Sequence, residues 1–211
     1  LTPWPSIVKE VDFYLGECYR QLGNSDQQLT AYRRALSADP FWLPARAGLA
    51  EALRSMGRID EALEEFRQIM KLGKAPAAGW IDLAQLTLLD QLRRKRAERN
   101  WSEVDDLIDR AEQANPEAPN VAILRAEALV ARDQIDSARK LLQEAETRHP
   151  TSIELRLARV SLAQQERQWD EAESLLNDAQ KQLGDSVSLR LGWAQHWLRK
   201  LGSEAKPRIQ E

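Results

Sequence analysis

The chain has 211 residues, 43% of them hydrophobic and 30% charged, with a formal net charge of -3. It can therefore bury a core and is too apolar to be disordered, and its charge gives no general attraction to nucleic acid or acidic membrane, so only a local patch could act in that way. No stretch approaches the roughly 18 uninterrupted apolar residues of a membrane span, and the start lacks a basic-then-apolar signal profile. The single cysteine, Cys18, excludes an intrachain disulfide and a metal site built on several cysteines. Beginning at Leu1 rather than Met, the sequence suggests a fragment or a processed chain; the cytoplasm is the default location, and a removed targeting segment is compatible with that start.

In chain order, Pro3 and Pro5 disfavour helix over residues 1–6, and Ser6 is a good N-cap, so a first helix is predicted from about residue 7 to Leu22. Gly23 and Asn24 make a turn, and Ser25 or Asp26 opens a second helix that ends before Asp39-Pro40. Cys18, between Gly16 and Tyr19, reads as a small buried hydrophobe. Adding 34 to positions of this hairpin lands on Leu49, Ala50, Leu53, Gly57, Phe66 and Ile69, apolar or small in every case. Ala62 lets the second pair of helices approach, where the first pair has Gln28; the closing proline has slipped to Pro76, after a helix stop at Gly73.

The third hairpin opens with Trp80, Leu83 and Ala84, but Phe66 to Ile108 is 42 residues, eight more than 34. The surplus falls around QLRRKRAERN, which has no Gly or Pro, so about one added turn is expected on each helix of a protruding hairpin. The 34-residue register then returns: Pro116 to Pro150, Ala138 to Ala172, Ala145 to Ala179. Trp101 and Trp169, 68 apart, share one slot, and with Trp80 are expected in the core; Asn100 with Glu103, and Thr151 with Glu154, have capping-box spacing. A last helix follows Ser186, and Gly202 and Pro207 end regular structure.

Leu15, Gly16, Tyr19, Gly23, Tyr32, Ala35 and Pro40, with their later copies, resemble the tetratricopeptide repeat (TPR), W-x2-L-G-x2-Y then A-x3-F then P in a 34-residue unit. The resemblance implies an all-α, right-handed superhelical solenoid of helical hairpins, five full units plus one terminal helix, in a single domain over residues 7–201. The expected units are about 7–40, 41–76, 77–116, 117–150, 151–184 and a half unit 185–201, followed by a tail from 202 to 211. It also implies a non-catalytic scaffold or adaptor, without a cofactor, whose first helices line a concave groove that binds a partner peptide or helix.

Stepping the repeat along the first helices gives an apolar column, Phe13, Ala47, Ile81, Ile123, Leu157 and Leu191. Its neighbour is Glu17, Glu51, Gln85, Glu127, Ser161 and Gln195, with Arg20 and Arg54 on the outer edge. Together they suggest a ligand with apolar anchors and some Lys or Arg. Phe13, Glu17 and Glu51 stand where some TPR proteins place Lys and Asn to clamp a terminal carboxylate, which disfavours that mode. Arg93, Arg94, Lys95, Arg96 and Arg99 put five cations within seven residues on the inserted hairpin. They give the alternative reading of a nucleic-acid or anionic-surface binder, set against a solvated helix end; a further alternative is a regulatory or substrate-recruiting segment of a larger enzyme. On the last helix Val187, Leu191, Trp193, Ala194, Trp197, Leu198 and Leu201 cover a broad arc, which predicts a missing mate helix or self-association through Trp193, Trp197 and Leu201. His149 and His196 have no neighbouring constellation, and no catalytic or metal motif is present.

Overall fold

Four turns of the chain use one backbone solution. Gly23, Gly57, Asp133 and Arg167 all have positive φ, at 68°, 72°, 63° and 60°. Each follows a helix by the same bonds: the Gly23 N–H donates to the Arg20 carbonyl and the Asn24 N–H to that of Tyr19, and the pattern recurs at Gly57, Asp133 and Arg167. This closure satisfies the orphaned carbonyls of a helix end and lets the chain reverse into an antiparallel partner. Glycine adopts that conformation without strain; Asp133 and Arg167 hold it because both flanking helices are fixed.

The structure, a computed structural model, describes residues 5–72 and 78–202. Gly73, Pro76 and the tail beyond Gly202, including Pro207, lie outside the described residues. Those described form eleven α-helices and no strand: α1 (Pro5–Gln21), α2 (Ser25–Ala38), α3 (Leu43–Ser55), α4 (Ile59–Lys71), α5 (Ala78–Arg93), α6 (Ser102–Ala114), α7 (Pro119–Val130), α8 (Ile135–Arg148), α9 (Ile153–Gln165), α10 (Trp169–Leu183) and α11 (Val187–Leu201). They fall into two compact units, residues 1–115 and 116–211.

Several local expectations shift by a residue or two. The first helix opens at Pro5 rather than after Ser6, since the N–H that proline lacks has no partner in a first turn. The second helix does open at Ser25, and Asn24 caps it, accepting from the Gln27 N–H at 3.2 Å. Ser152 rather than Thr151 caps α9, accepting from the Leu155 N–H. No capping box forms at Asn100 and Glu103: Asn100 accepts from the Ser102 N–H two residues on, and Glu103 pairs with Arg67 of α4.

In the first unit, α1 with α2, α3 with α4 and α5 with α6 are antiparallel hairpins that stack in sequence. Small residues make the approach possible: Ala31, Ala35, Ala45, Ala50, Ala52 and Ala62 are buried. Tyr32 of α2 stands between α1 and α3, fully buried, and a Cβ at Gly16 or Gly48 would come within 2.5 or 2.7 Å of its ring. Glycine at both positions is thus what seats the ring. Where the repeat pattern asks for tryptophan, Arg46 and Arg156 act as staples instead. Each donates to the carbonyl of the proline six residues earlier, Pro40 or Pro150, and each pairs with a second-helix glutamate, Glu65 or Glu146.

The second unit has two apolar clusters. One gathers Ala126, Ala138, Leu142, Ala145, Leu155 and Leu162; the other gathers Val160, Ala163, Ala172, Leu176, Ala179 and Leu189 beneath α11. His196 of α11 is fully buried beside the second, against the rings of Trp169, Trp193 and Trp197. Its Nδ1 lies 3.4 Å from Gln164 Nε2 and its Nε2 lies 3.2 Å from Glu173. Arg199 donates to Gln164 Oε1, so the amide nitrogen faces the imidazole.

Candidate functional site

The surplus residues of the third hairpin are not shared between its helices. At 16 residues α5 is about a turn longer than α3 (13 residues), whereas α6 has 13, the length of α4. The remainder forms the connection between Arg93 and Ser102, with a 3-10 turn over Arg96–Glu98. Helix-forming composition is overridden there by side chains that fold the chain back. Buried Gln91 accepts from the Asn100 N–H at 2.7 Å, and Arg99 reaches the Leu92 and Arg94 carbonyls, both at 3.3 Å, while lying over the Trp101 ring. Arg94 pairs with buried Asp90 at 2.7 Å. Of the five cations, then, Arg94 and Arg99 close the end of α5, and Arg93 and Lys95 are exposed beside them.

One edge of α5 is open to solvent as far as its added turn. Asp82, Gln85, Leu89 and Leu92 recur at intervals of three, four and three residues along one exposed edge of α5, and both leucines are 43% exposed. Beside this edge Glu51, Arg54, Asp82, Gln85, Leu86 and Leu89 enclose a cleft of about 190 Å³ between α3 and α5. Glu51, Arg54 and Gln85 thereby line one cleft. Arg54 holds Glu51 through two hydrogen bonds, so its charge is matched within its own helix. Among the described residues Asp82 has no such hydrogen-bonded partner. The cleft walls strip water from it and the Glu51 charge stands near, and together they raise its carboxyl above the ordinary range, with Arg54 offsetting part of the effect.

Elsewhere the columns divide. Glu17 repeats the Glu51 geometry, with Arg20 Nε donating to it at 3.0 Å, but its other oxygen accepts from the Tyr32 hydroxyl. Burial first, and this carboxylate second, push the Tyr32 phenol up to about 12. Phe13 packs on Tyr14, Tyr32 and Trp42, and Ile81 is half-buried. In the second unit Ile123 and Leu157 pack against the two clusters and belong to the core, whereas Leu191 of the same column is exposed. Glu127 reaches the surface, yet desolvation by the surrounding protein raises its carboxyl.

Other expectations need correction. Cys18 is exposed, because successive helix residues are turned by 100° and it lies two residues around α1 from Gly16, which faces Tyr32. Trp80, Trp101 and Trp169 are half-buried rather than core, and Arg110 lies over the Trp80 ring. On α11, Trp193 and Trp197 stack on each other and are half-buried, as is Leu201; the exposed apolar residues are Val187, Leu191 and Leu198, at 74%, 58% and 53%. Among the described residues no group of His, Cys, Asp and Glu could hold a metal ion, and no helix is long and apolar enough to cross a membrane.

Stacked antiparallel hairpins at a 34-residue step define a helical-repeat protein, and comparison with known proteins specifies the repeat. Two tetratricopeptide-repeat family models match, one over residues 14–41 and 43–72, the other over 119–162. The matched segments, in both units of the chain, are tetratricopeptide repeats. Its fold is similar to that of a thermophilic TPR protein from Thermus thermophilus, at 23% identity and a TM-score of 0.68, over 90% of this chain and 99% of that one. A TPR protein from Parabacteroides merdae aligns at 14% identity and a TM-score of 0.79, over 99% and 77%. YrrB, described as a TPR protein with an unusual peptide-binding site, aligns at 14% identity and 0.54, over 84% and 88%. No curated protein matches the sequence. Proteins built of these repeats serve as protein-protein interaction scaffolds and are generally not catalysts.

Proposed function

We propose that this chain is a non-catalytic scaffold that holds a partner peptide or helix against the first helices of its first unit, along the cleft between α3 and α5. The observation that carries the reading is the cleft itself. It is walled by Glu51, Arg54 and Gln85 from the repeat columns and floored by Leu86 and Leu89. Exposed apolar surface rimmed by polar side chains gains affinity on burial and orientation from the rim. The peptide-binding site named for YrrB is a precedent for TPR hairpins working in this way.

The basic connection is weaker as a site because Arg94 and Arg99 are engaged in ending α5. Affinity capture from nuclease-treated lysate of the source organism separates the readings. Leu89→Asp and Gln85→Lys change exposed positions and leave the core alone, unlike Ile123→Asp. A protein captured by the wild type and lost in these variants supports the cleft. Loss confined to Arg93→Glu/Lys95→Glu, with steep salt dependence, moves function to the connection.

A further inference from the structure

The partner's chemistry can be read from the cleft, given the interaction face proposed above. Asp82, Gln85, Leu89 and Leu92 form a ridge that follows the axis of α5, ten residues or about 15 Å long. Its two ends differ. At the Asp82 end the charges are Glu51, Arg54 and Asp82; Arg54 hydrogen-bonds Glu51 and offsets Asp82 only in part, so the cleft carries one net negative charge there and Asp82 has no hydrogen-bonded cation among the described residues. At the other end Leu89 and Leu92 present bare apolar surface, and Leu86 closes the floor between. A ridge running along one helix, with a second helix beside it, suits a ligand that repeats at helical spacing; an extended strand would run across the hairpins instead.

We infer that the cleft between α3 and α5 takes an amphipathic helix of a partner protein that carries a lysine or arginine facing Asp82 and, about two turns away, a pair of apolar residues covering Leu89 and Leu92. The cation completes for Asp82 the charge balance that Arg54, hydrogen-bonded to Glu51, gives it only in part. The apolar pair removes the two leucines from water, and the distance between the features fixes the register. An acidic ligand helix meets Asp82 unfavourably, and a uniformly apolar one leaves its carboxylate without a partner at the rim.

The test is selection of helical peptides from a display library against the whole 211-residue chain, followed by affinity measurement on Leu89→Asp and Asp82→Arg, each first matched to the wild type in helical content and thermal midpoint. The expected result is enrichment of a basic residue about two turns from an apolar pair. Affinity should fall about tenfold or more in both variants. Selection on Asp82→Arg should return an acidic residue at the basic position, with affinity restored. Binders that respond to Leu89→Asp but carry no basic residue, or ignore Asp82→Arg, leave the cleft standing and overturn this inference. Binders indifferent to both variants, or no binders at all, overturn the cleft as well.

Discussion

Glu17 and Asp82 are carboxylates on first helices of the same unit, and their surroundings give them opposite tasks. Each carboxylate oxygen of Glu17 has a donor: the buried Tyr32 hydroxyl on one, Arg20 on the other. Around Asp82 there is a cleft, an acidic neighbour whose arginine is already bound, and no hydrogen-bond donor among the described residues. The difference shows how a repeat separates structure from function. An acid in a groove column becomes part of the scaffold where a buried donor lies under it, and is available to a ligand where the floor is leucine.

The largest effect should come from removing that floor at the closed end. Tyr32→Ala takes out a fully buried ring wedged between Gly16 and Gly48, and chemical denaturation should show a loss of about 3–5 kcal/mol. Next, Glu17→Gln weakens the acceptor of a buried hydroxyl, for a loss of about 1–3 kcal/mol. Ultraviolet titration should then find Tyr32 ionising below about 12 yet above its ordinary value, because burial, the larger cause, remains. The linked sign is definite: with the folded phenol raised, the wild-type fold loses stability as pH climbs past the ordinary tyrosine range, and Glu17→Gln should lessen that alkaline loss.

Smaller effects follow at the open end. Arg99→Ala gives up two carbonyl contacts that close α5, and about 0.5–1.5 kcal/mol of stability should go with them, read again by denaturation. The smallest is Asp82→Asn. A carboxyl raised in the folded state disfavours folding once pH exceeds its unfolded value, so this variant should gain slightly in thermal midpoint at neutral pH and match the wild type in acid, where both are uncharged. A loss at neutral pH would make Asp82 a structural acid and erase the contrast with Glu17.

Much of this architecture is legible in the sequence because its cause is periodic. The turn slot shows as glycine at 23 and 57, and only spacing reveals that Asp133 and Arg167 occupy the same conformation. The size of the third-hairpin insertion is legible too. Its division is not, because Gln91 and Arg99 act through contacts nine and seven residues away that composition does not record. Asp82 lies 34 residues after Gly48 and was open to reading; columns begun from apolar slots pass it by one position. His196 was not legible, since its partners Gln164 and Glu173 lie 32 and 23 residues away in other helices.

The most direct test places a photoreactive amino acid at Gln85, in the cleft, or at Glu64, exposed on α4, and irradiates each with the captured partner protein. The account predicts a crosslink from position 85 to a helical segment of the partner that bears a basic residue, and none from position 64. Crosslinking from 64 alone, or equally from both, would contradict the claim that the cleft between α3 and α5 is the working surface.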